Sequence, residues 1–484
     1  MPATIADGPR ILVGTEGSTQ PTPSPEDIGA LSTLGTLLVA AGYTAEGLKV
    51  QLGVEGELQA RAADIPLHRQ RVADGKPLDA LIRLFFLGDR LSWQQAATAL
   101  PGLDPDRLVA AGILEAVGDD VRATVRLVPH KDVLVVYEPG AEPPEGSHLL
   151  ADITVRMHFV SALQAQAGTG MHALLAARHT DRAIAVEADP RAVSLVRLGA
   201  LLNGLENLEA IEGESLEPLA GHSYGLIVAN PARVLSPEED ERADSRCREL
   251  VKAVASHLSE GGFAHVLVTW VLGTGEDWWS PLEHWVEGTG CDAVLLLERE
   301  DDPAVYAAAH AAPAALGRWT GFLRDLAADR VASGAVVLRR RSRGRNWVRH
   351  EVLPGPEIGP AGDQVVRTFV NHDLLASLPT DDQLLDEVLA VVEPQRIEQV
   401  WRHEDEGMEL ESARVRLEWG LGFTVTVDAY TIELLARVDG RRRLRDLFAE
   451  IARDSQLEED SVARAGLPAV RRLLELGFLA RAAS

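Results

Sequence analysis

Two glycines that follow an apolar run could let a nucleoside-carrying cofactor approach the main chain. Residues 163–179 read LQAQAGTGMHALLAARH, in which Gly168 and Gly170 precede a segment with helical spacing. Glycine has no side chain, so the backbone N–H groups of such a turn can face a ligand directly. Loops of this kind usually begin with an acid and an early glycine, but residues 164–167 read QAQA. The spacing therefore predicts a cofactor loop with an altered first half.

Carboxylates come at or after the ends of the next two predicted strands. Glu187 ends AIAVE about twenty residues beyond the loop, a position from which a carboxylate can accept both hydroxyl groups of a ribose. Its alternative role is that of an acidic charge before the helix DPRAV, where the helix dipole favours it. Glu212 and Glu214 follow the next strand, where they could flank an adenine or be solvated surface residues. The order of these residues predicts a nucleoside site.

Asn230 and Pro231 come at the tip of the predicted strand GLIVAN (225–230). An Asn-Pro pair is common in turns, so these residues alone leave their role open.

The elements that would position these residues alternate between apolar runs and helical segments. The predicted strands are VLVVY (133–137), FVSAL (159–163), AIAVE (183–187), GLIVAN (225–230), AHVLVTW (264–270), AVLLLE (293–298) and AVVLRR (335–340). This alternation predicts a doubly wound, parallel sheet. In such a sheet ligands bind beyond the carboxyl ends of the strands, where the residues above would lie.

Residues 130–345 as a whole resemble a class I S-adenosylmethionine-dependent methyltransferase. The segment AIAVEADPRAVSLVRLGALLNGLENLEAIEGESLEPL, followed by YGLIVANPARV, is similar to the branch with an Asn-Pro-Pro-aromatic motif, which methylates planar nitrogens of glutamine side chains or nucleobases. PLDALIRLFFLGDRL and the closing RRLLELGFLA also look like the three-part actinobacterial-type members of that branch. The resemblance implies S-adenosylmethionine as the cofactor.

The resemblance also implies site residues. Gln164 occupies the place of the acid that contacts the methionine end of the cofactor, and Gly168 and Gly170 are the remaining family glycines. Glu187 is expected on the ribose and Glu214 near the adenine. Asn230 with Pro231 is expected to hold the substrate nitrogen and orient it toward the methyl group. We expect no metal site, because the histidines lack the spacing of metal ligands.

The chain departs from the family pattern at both ends of this site. An amide at Gln164 loses the charge-assisted contact with the methionine ammonium, and Gln166 replaces the first family glycine. The tip reads Asn230-Pro231-Ala232-Arg233, without the aromatic stacking partner. Two hypotheses follow. One is methyl transfer to a nitrogen or oxygen of a small-molecule, peptide or protein substrate; the other is a retired enzyme, a pseudoenzyme that acts as a scaffold or binds partners.

The domain organisation predicted from composition and periodicity has four parts. Residues 1–26 form a flexible lead-in and residues 27–130 a mainly helical, winged-helix-like domain. Residues 131–345 form the Rossmann-like methyltransferase domain, and residues 346–484 an α+β domain that ends in a helix and a strand around Gly477. The predicted fold class is therefore α/β with two flanking domains.

Charge and apolar content restrict the partners. The net charge of −26 disfavours nucleic acid as a partner, although residues 338–350 carry six arginines around Trp347 that could meet a phosphate or simply face solvent. No apolar run approaches a membrane span, and the first residues lack the pattern of a signal peptide, so we expect a cytoplasmic protein without membrane contact. A homodimer contact or a protein partner stays open. Cys247 and Cys291 are too few for a disulfide framework.

Overall fold

The computed structural model describes residues 25–56, 58, 63–141, 143–214, 216, 219–231, 234–237, 243–355, 359–404 and 407–482. Two compact units divide the chain. Unit 1 comprises Met1–Ser147, Met157–Ala232 and Lys252–Ala264, and unit 2 comprises His148–Arg156, Arg233–Val251 and His265–Ser484. Nearly all of the predicted lead-in, up to residue 24, lies outside the described residues.

Eighteen α-helices are found in the part of the chain that the structure describes. They are α1 (Pro25–Ala40), α2 (Ala45–Leu52), α3 (Ile65–Arg71), α4 (Pro77–Leu81), α5 (Trp93–Ala99), α6 (Pro105–Ala110), α7 (Ser147–Ile153), α8 (Met171–Ala177), α9 (Pro190–Leu202), α10 (Ala243–Ser256), α11 (Ser280–Val286), α12 (Pro303–His310), α13 (Leu316–Asp325), α14 (Gly362–Ser377), α15 (Asp381–Leu385), α16 (Ala429–Arg437), α17 (Leu444–Asp454) and α18 (Glu459–Glu475). A π-helical turn spans Ile82–Phe86 and a 3-10 turn spans Pro313–Ala315.

The strands are β1 (Leu91–Ser92), β2 (Leu114–Val117), β3 (Asp120–Ala123), β4 (Arg126–His130), β5 (Val133–Tyr137), β6 (Phe159–Ala165), β7 (Thr180–Glu187), β8 (Leu208–Glu212), β9 (Tyr224–Ala229), β10 (Leu258–Leu272), β11 (Cys291–Asp301), β12 (Arg330–Arg340), β13 (Val348–Val352), β14 (Leu389–Val391), β15 (Gln395–Glu404), β16 (Gly407–Leu417), β17 (Thr424–Val427) and β18 (Leu479–Arg481). Eight of them form one sheet in the order β13-β11-β12-β10-β9-β6-β7-β8. The strands β9, β6, β7 and β8 are parallel, whereas β11 and β12 are antiparallel. The mixed α/β class with a large, mostly parallel sheet is thus confirmed.

One predicted member of the doubly wound sheet lies elsewhere. The prediction that VLVVY joins it was wrong, because β5 pairs antiparallel with β4 in a separate two-stranded sheet. The side chain of Asn203 also bonds to the backbone of this strand: its Oδ1 accepts from Leu134 N at 2.8 Å and its Nδ2 donates to Leu134 O at 2.7 Å. The strand is buried along its whole length, and apolar composition alone does not identify its partner.

Unit 1 begins with helices that precede a small antiparallel sheet. Helix α1 packs closely on α9, since a Cβ atom at Gly35 would lie 1.8 Å from the carbonyl oxygen of Leu202. The short strands β1, β3 and β2 follow in that spatial order. The helices agree with the helical spacing of the sequence, and the winged-helix assignment stays a prediction.

The C-terminal part of unit 2 contains helices and antiparallel strands. Strands β15, β16 and β17 form one sheet, and β14 pairs with β18. The predicted helix-then-strand ending is confirmed: α18 is followed by Gly477 in the left-handed region (φ 76°) and then by β18. Both cysteines of the chain are buried and unbridged.

Within the described residues no single helix is long and apolar enough to cross a membrane. The bent pair Ile28–Ala40 and Ala45–Leu52 passes by length and composition, and its side chains Leu31, Leu34 and Leu38 are fully buried in the fold.

Candidate cofactor and catalytic site

Strand register brings the predicted site residues to one edge of the parallel sheet. Ala165, the last residue of β6, is level with Val186 on one side and with Ala229 on the other. The glycine loop, Glu187 and Asn230 therefore leave adjacent strands at their carboxyl ends. Ligands of open α/β sheets bind at this edge.

The two glycines of the loop are required for different reasons. Both have positive φ, 53° at Gly168 and 75° at Gly170. A Cβ atom at Gly170 would lie 2.7 Å from Cγ2 of Val196 on α9, whereas a Cβ atom at Gly168 would meet no atom within 4 Å. Gly170 thus allows helix α9 to pack against the loop, and Gly168 borders open space that a ligand could enter.

Gln164 is turned into the protein. The residue is 3% exposed. Its Nε2 donates to Ala167 O at 3.0 Å, and its Oε1 accepts from Ala173 N at 2.7 Å. The amide therefore ties the loop to the first turn of α8. Because its two polar atoms are engaged there, Gln164 has a structural role in the loop, and its contact with a cofactor stays a prediction.

Gln166 occupies a backbone conformation that favours glycine. Its φ is 51°, and its side chain is exposed. A residue with a Cβ atom loses about 1 kcal/mol or more in the left-handed region. Gln166 therefore holds a backbone conformation that glycine adopts more readily, at the cost of local strain.

Glu187 closes the loop onto β7. Its Oε2 accepts from Gly168 N at 2.6 Å, and its Oε1 accepts from Ala188 N at 2.9 Å and Asp189 N at 3.1 Å. The carboxylate is half-buried, so it remains open to a further partner. A ribose would meet an acceptor that is already held in place by backbone N–H groups, which is how preorganised sites bind hydroxyl groups at low entropic cost.

Glu214 lies just beyond β8 and is exposed. The backbone next to it is fixed, because Gly213 N donates to Glu187 O at 2.9 Å. Its predicted place beside an adenine stays a prediction.

Asn230 is oriented by a residue that the sequence did not single out. Its Nδ2 donates to Oγ of Ser147 at 3.1 Å and to the carbonyl oxygen of Glu145 at 3.3 Å. Ser147 is 3% exposed, and the neighbouring Pro231 is buried as well. The hydroxyl group of Ser147 lies 83 positions away in the chain, so only the fold brings it to Asn230. Of the rest of the predicted tip, Ala232 and Arg233 are outside the described residues.

Three family models match separate parts of the chain. Residues 141–275 match the methyltransferase small domain. Residues 40–124 match a domain of unknown function (DUF7059), and residues 367–481 match another (DUF7782). The match to the methyltransferase small domain contains Gln164, both glycines, Glu187 and Asn230. A search of curated proteins finds no match.

Solved structures are similar to part of the chain. They include the tRNA m1G37 methyltransferase from M. jannaschii (13% identity, 46% of this chain, 61% of that chain, TM-score 0.30). They also include a methyltransferase from Pyrococcus furiosus (12% identity, 43% of this chain, 89% of that chain, TM-score 0.29) and M. jannaschii TYW2 in complex with AdoMet (12% identity, 46% of this chain, 90% of that chain, TM-score 0.29).

The basic stretch 338–350 is folded against acids of unit 2. Arg339 and Arg341 donate to the fully buried Asp292 at 2.7 and 2.9 Å, and to Asp373 at 2.9 and 3.4 Å. These two guanidinium charges are therefore balanced by carboxylates inside the unit. The pairing favours a structural role of the stretch over phosphate binding. Among the described residues, no group of three or more His, Cys, Asp or Glu side chains could hold a metal ion.

Proposed function

We propose that this protein is an S-adenosylmethionine-dependent methyltransferase that acts on a nitrogen, or an oxygen, of a small-molecule, peptide or protein substrate. The observation that carries the proposal is the contact of 2.6 Å between Glu187 Oε2 and Gly168 N, beside the open space at Gly168. The match of residues 141–275 to a methyltransferase domain supports the reaction class. The net charge of −26 favours a substrate other than nucleic acid.

The residues at this edge fit the nucleoside end of the cofactor better than its methionine end. Glu187 and the exposed Glu214 would hold the ribose and the adenine, and the backbone at Gly168 leaves room for the chain between ribose and sulfur. Gln164 uses its amide within the loop, so it supplies no carboxylate for the methionine ammonium. Charge-assisted hydrogen bonds are about twice as strong as neutral ones, so we expect weaker cofactor binding than an acid at this position would give.

The bound cofactor would supply an electrophilic methyl group, and the protein's part is to position the acceptor. Ser147 and the carbonyl of Glu145 hold Nδ2 of Asn230, which leaves Oδ1 of Asn230 to accept a hydrogen bond from the substrate amine or amide. That bond would orient the nitrogen lone pair toward the methyl group, and positioning of this kind contributes a large share of the rate in such transfers.

A retired enzyme is the second candidate, and Gln164 is the observation that favours it. Its amide holds the loop by two internal hydrogen bonds, to Ala167 and Ala173, without a ligand. In this alternative the fold would serve as a scaffold or bind a protein partner.

Isothermal titration with S-adenosylmethionine and S-adenosylhomocysteine tests the proposal. We expect saturable binding to the unaltered chain and its loss in Glu187→Ala. Glu209→Gln is the matched control, because Glu209 is a nearby carboxylate on β8 that pairs with Arg182 at the surface. No binding at millimolar ligand, or equal loss in both variants, would contradict the proposal and favour the retired enzyme.

A further inference from the structure

A second candidate ligand site lies wholly within unit 2, in a cavity of about 390 Å³. Strand β13, the segment that follows β10, the start of β17 and the end of α18 line it. The residues that matter here are Trp278, Trp279, His350, Glu351, Phe423 and Arg472. Pockets of roughly 300–1,000 Å³ hold small organic ligands, so the cavity is large enough for a nucleoside.

One wall of the cavity is a fixed aromatic surface. The rings of Trp279 and His350 are stacked, with centroids 4.2 Å apart and planes within 4°. Trp278 meets both edge-on, at 5.7 Å in each case. Its own backbone is held by the indole N–H of Trp270, which donates to Trp278 O at 3.0 Å. The stack is therefore preorganised by its neighbours.

This stack keeps contact with solvent. Trp279 is only half-buried and His350 is exposed, whereas Trp278 and Phe423, which also line the cavity, are buried. Aromatic faces that border a cavity and water are the surfaces on which planar ligands stack, because stacking removes apolar area from water on both partners.

Another part of the lining is polar but nearly neutral. Glu351 accepts two bonds from Arg472, at 2.8 and 3.0 Å, and one from Arg349 at 3.1 Å. Glu475 lies 3.2 Å from Arg349 and 3.6 Å from Arg472, so two guanidinium groups and two carboxylates alternate. An anionic ligand would compete with these carboxylates for Arg472, and a cationic ligand would meet its positive charge. The wall thus favours an uncharged ligand with hydrogen-bonding edges.

We propose that this cavity binds the base of an uncharged nucleoside, stacked on the Trp279–His350 pair. The planar ring matches the aromatic wall, and the donors and acceptors on the edges of a base match the polar wall. The source is a free nucleoside and not a base within a nucleic acid strand, because the chain carries a net charge of −26.

Calorimetric titration of the 484-residue chain with adenosine, guanosine, cytidine and uridine tests the site, with ribose as the control ligand. We expect at least one nucleoside to bind and Trp279→Leu to weaken it about 5- to 150-fold, the range that stacking of one base spans. His350→Ala changes an exposed residue and serves as a second variant. Trp419→Leu removes an exposed tryptophan outside the lining and should leave the affinity unchanged.

Several results would overturn the proposal: no saturable binding of any nucleoside at millimolar concentration, binding that survives both Trp279→Leu and His350→Ala, or binding of a single-stranded oligonucleotide without binding of free nucleosides. Adenosine is also part of S-adenosylmethionine, so the nucleosides are titrated into Glu187→Ala as well. Binding that is lost in Glu187→Ala and kept in Trp279→Leu would belong to the cofactor loop and would reject the cavity site. Failure of the methyltransferase proposal leaves this result unaffected.

Discussion

The strained conformation of Gln166 allows a quantitative test of the cofactor loop. Gln166→Gly relieves the left-handed strain of a residue with a Cβ atom, about 1–2 kcal/mol, because φ is 51°. The gain is reduced by the larger entropy of glycine in the unfolded chain, about 0.5–1 kcal/mol. We therefore expect a net increase in the free energy of unfolding of about 0–1.5 kcal/mol, measured by urea denaturation monitored by circular dichroism.

The chain offers a matched control for this change. Gln456, just beyond α17, is an exposed glutamine with φ of 58°, so Gln456→Gly should increase stability by a similar amount. The two variants should differ in ligand binding. Gln166→Gly removes a side chain from the cofactor loop and should raise the affinity for S-adenosylhomocysteine in calorimetry, whereas Gln456→Gly should leave it unchanged.

The reasoning is refuted if Gln166→Gly lowers stability by more than about 1 kcal/mol while Gln456→Gly raises it, since φ alone predicts the same sign for both. Equal changes of affinity for S-adenosylhomocysteine in the two variants would contradict the expectation that the Gln166 side chain limits access of the cofactor.

Three further expectations concern stability. Gly170→Ala should cost more than 2 kcal/mol by urea denaturation, because its methyl group would lie 2.7 Å from Val196 and φ is 75°, whereas Gly168→Ala should cost about 1 kcal/mol from backbone strain alone. Asp292→Ala should cost about 3–5 kcal/mol, because it leaves two guanidinium groups without their buried partner. Burial lowers the pKa of His372 from its ordinary value of 6.5, so the unfolded chain binds the proton more readily than the folded chain. The free energy of unfolding should therefore fall as the pH drops below about 6.5. His372→Phe should reduce this pH dependence, measured by thermal unfolding at several pH values.

Each of these expectations has a contrary result. Equal costs at the two loop glycines would mean that α9 moves away without penalty. A loss below about 1 kcal/mol at Asp292 would show that water replaces the carboxylate. An unchanged acid slope in His372→Phe would assign the pH dependence to other groups.

The positions of Gly168, Glu187 and Asn230 in the fold were predictable because local patterns encode the strands that precede them. Apolar runs with intervening helical spacing identify β6, β7 and β9, and parallel pairing then brings their carboxyl ends together. Glu187 and Asn230 could thus be placed at one edge without knowing a single side-chain contact. The place of a strand in the sheet determines where the residues at its end lie.

The contacts within the site depend on pairings that no local pattern encodes. Nothing in QAQA indicates that Gln164 turns inward to bond Ala167 and Ala173. Nor does sequence spacing link Ser147 to Asn230. The placement of β5 failed for a related reason: a fully apolar strand is compatible with several partners, and the choice depends on which edges are already occupied.

The glycine at position 168 bears on whether the loop binds a cofactor. Packing does not require it, because a Cβ atom there would meet nothing within 4 Å. Positive φ favours a glycine by about 1 kcal/mol, although the chain accepts a glutamine at φ 51° two positions earlier. The glycine also leaves open space beside the carboxylate of Glu187, where we expect another molecule to approach the backbone. If that is correct, Gly168→Ala should reduce the affinity for S-adenosylhomocysteine by far more than its cost of about 1 kcal/mol in stability would suggest, and an unaltered affinity would remove the structural reason for a cofactor at this loop.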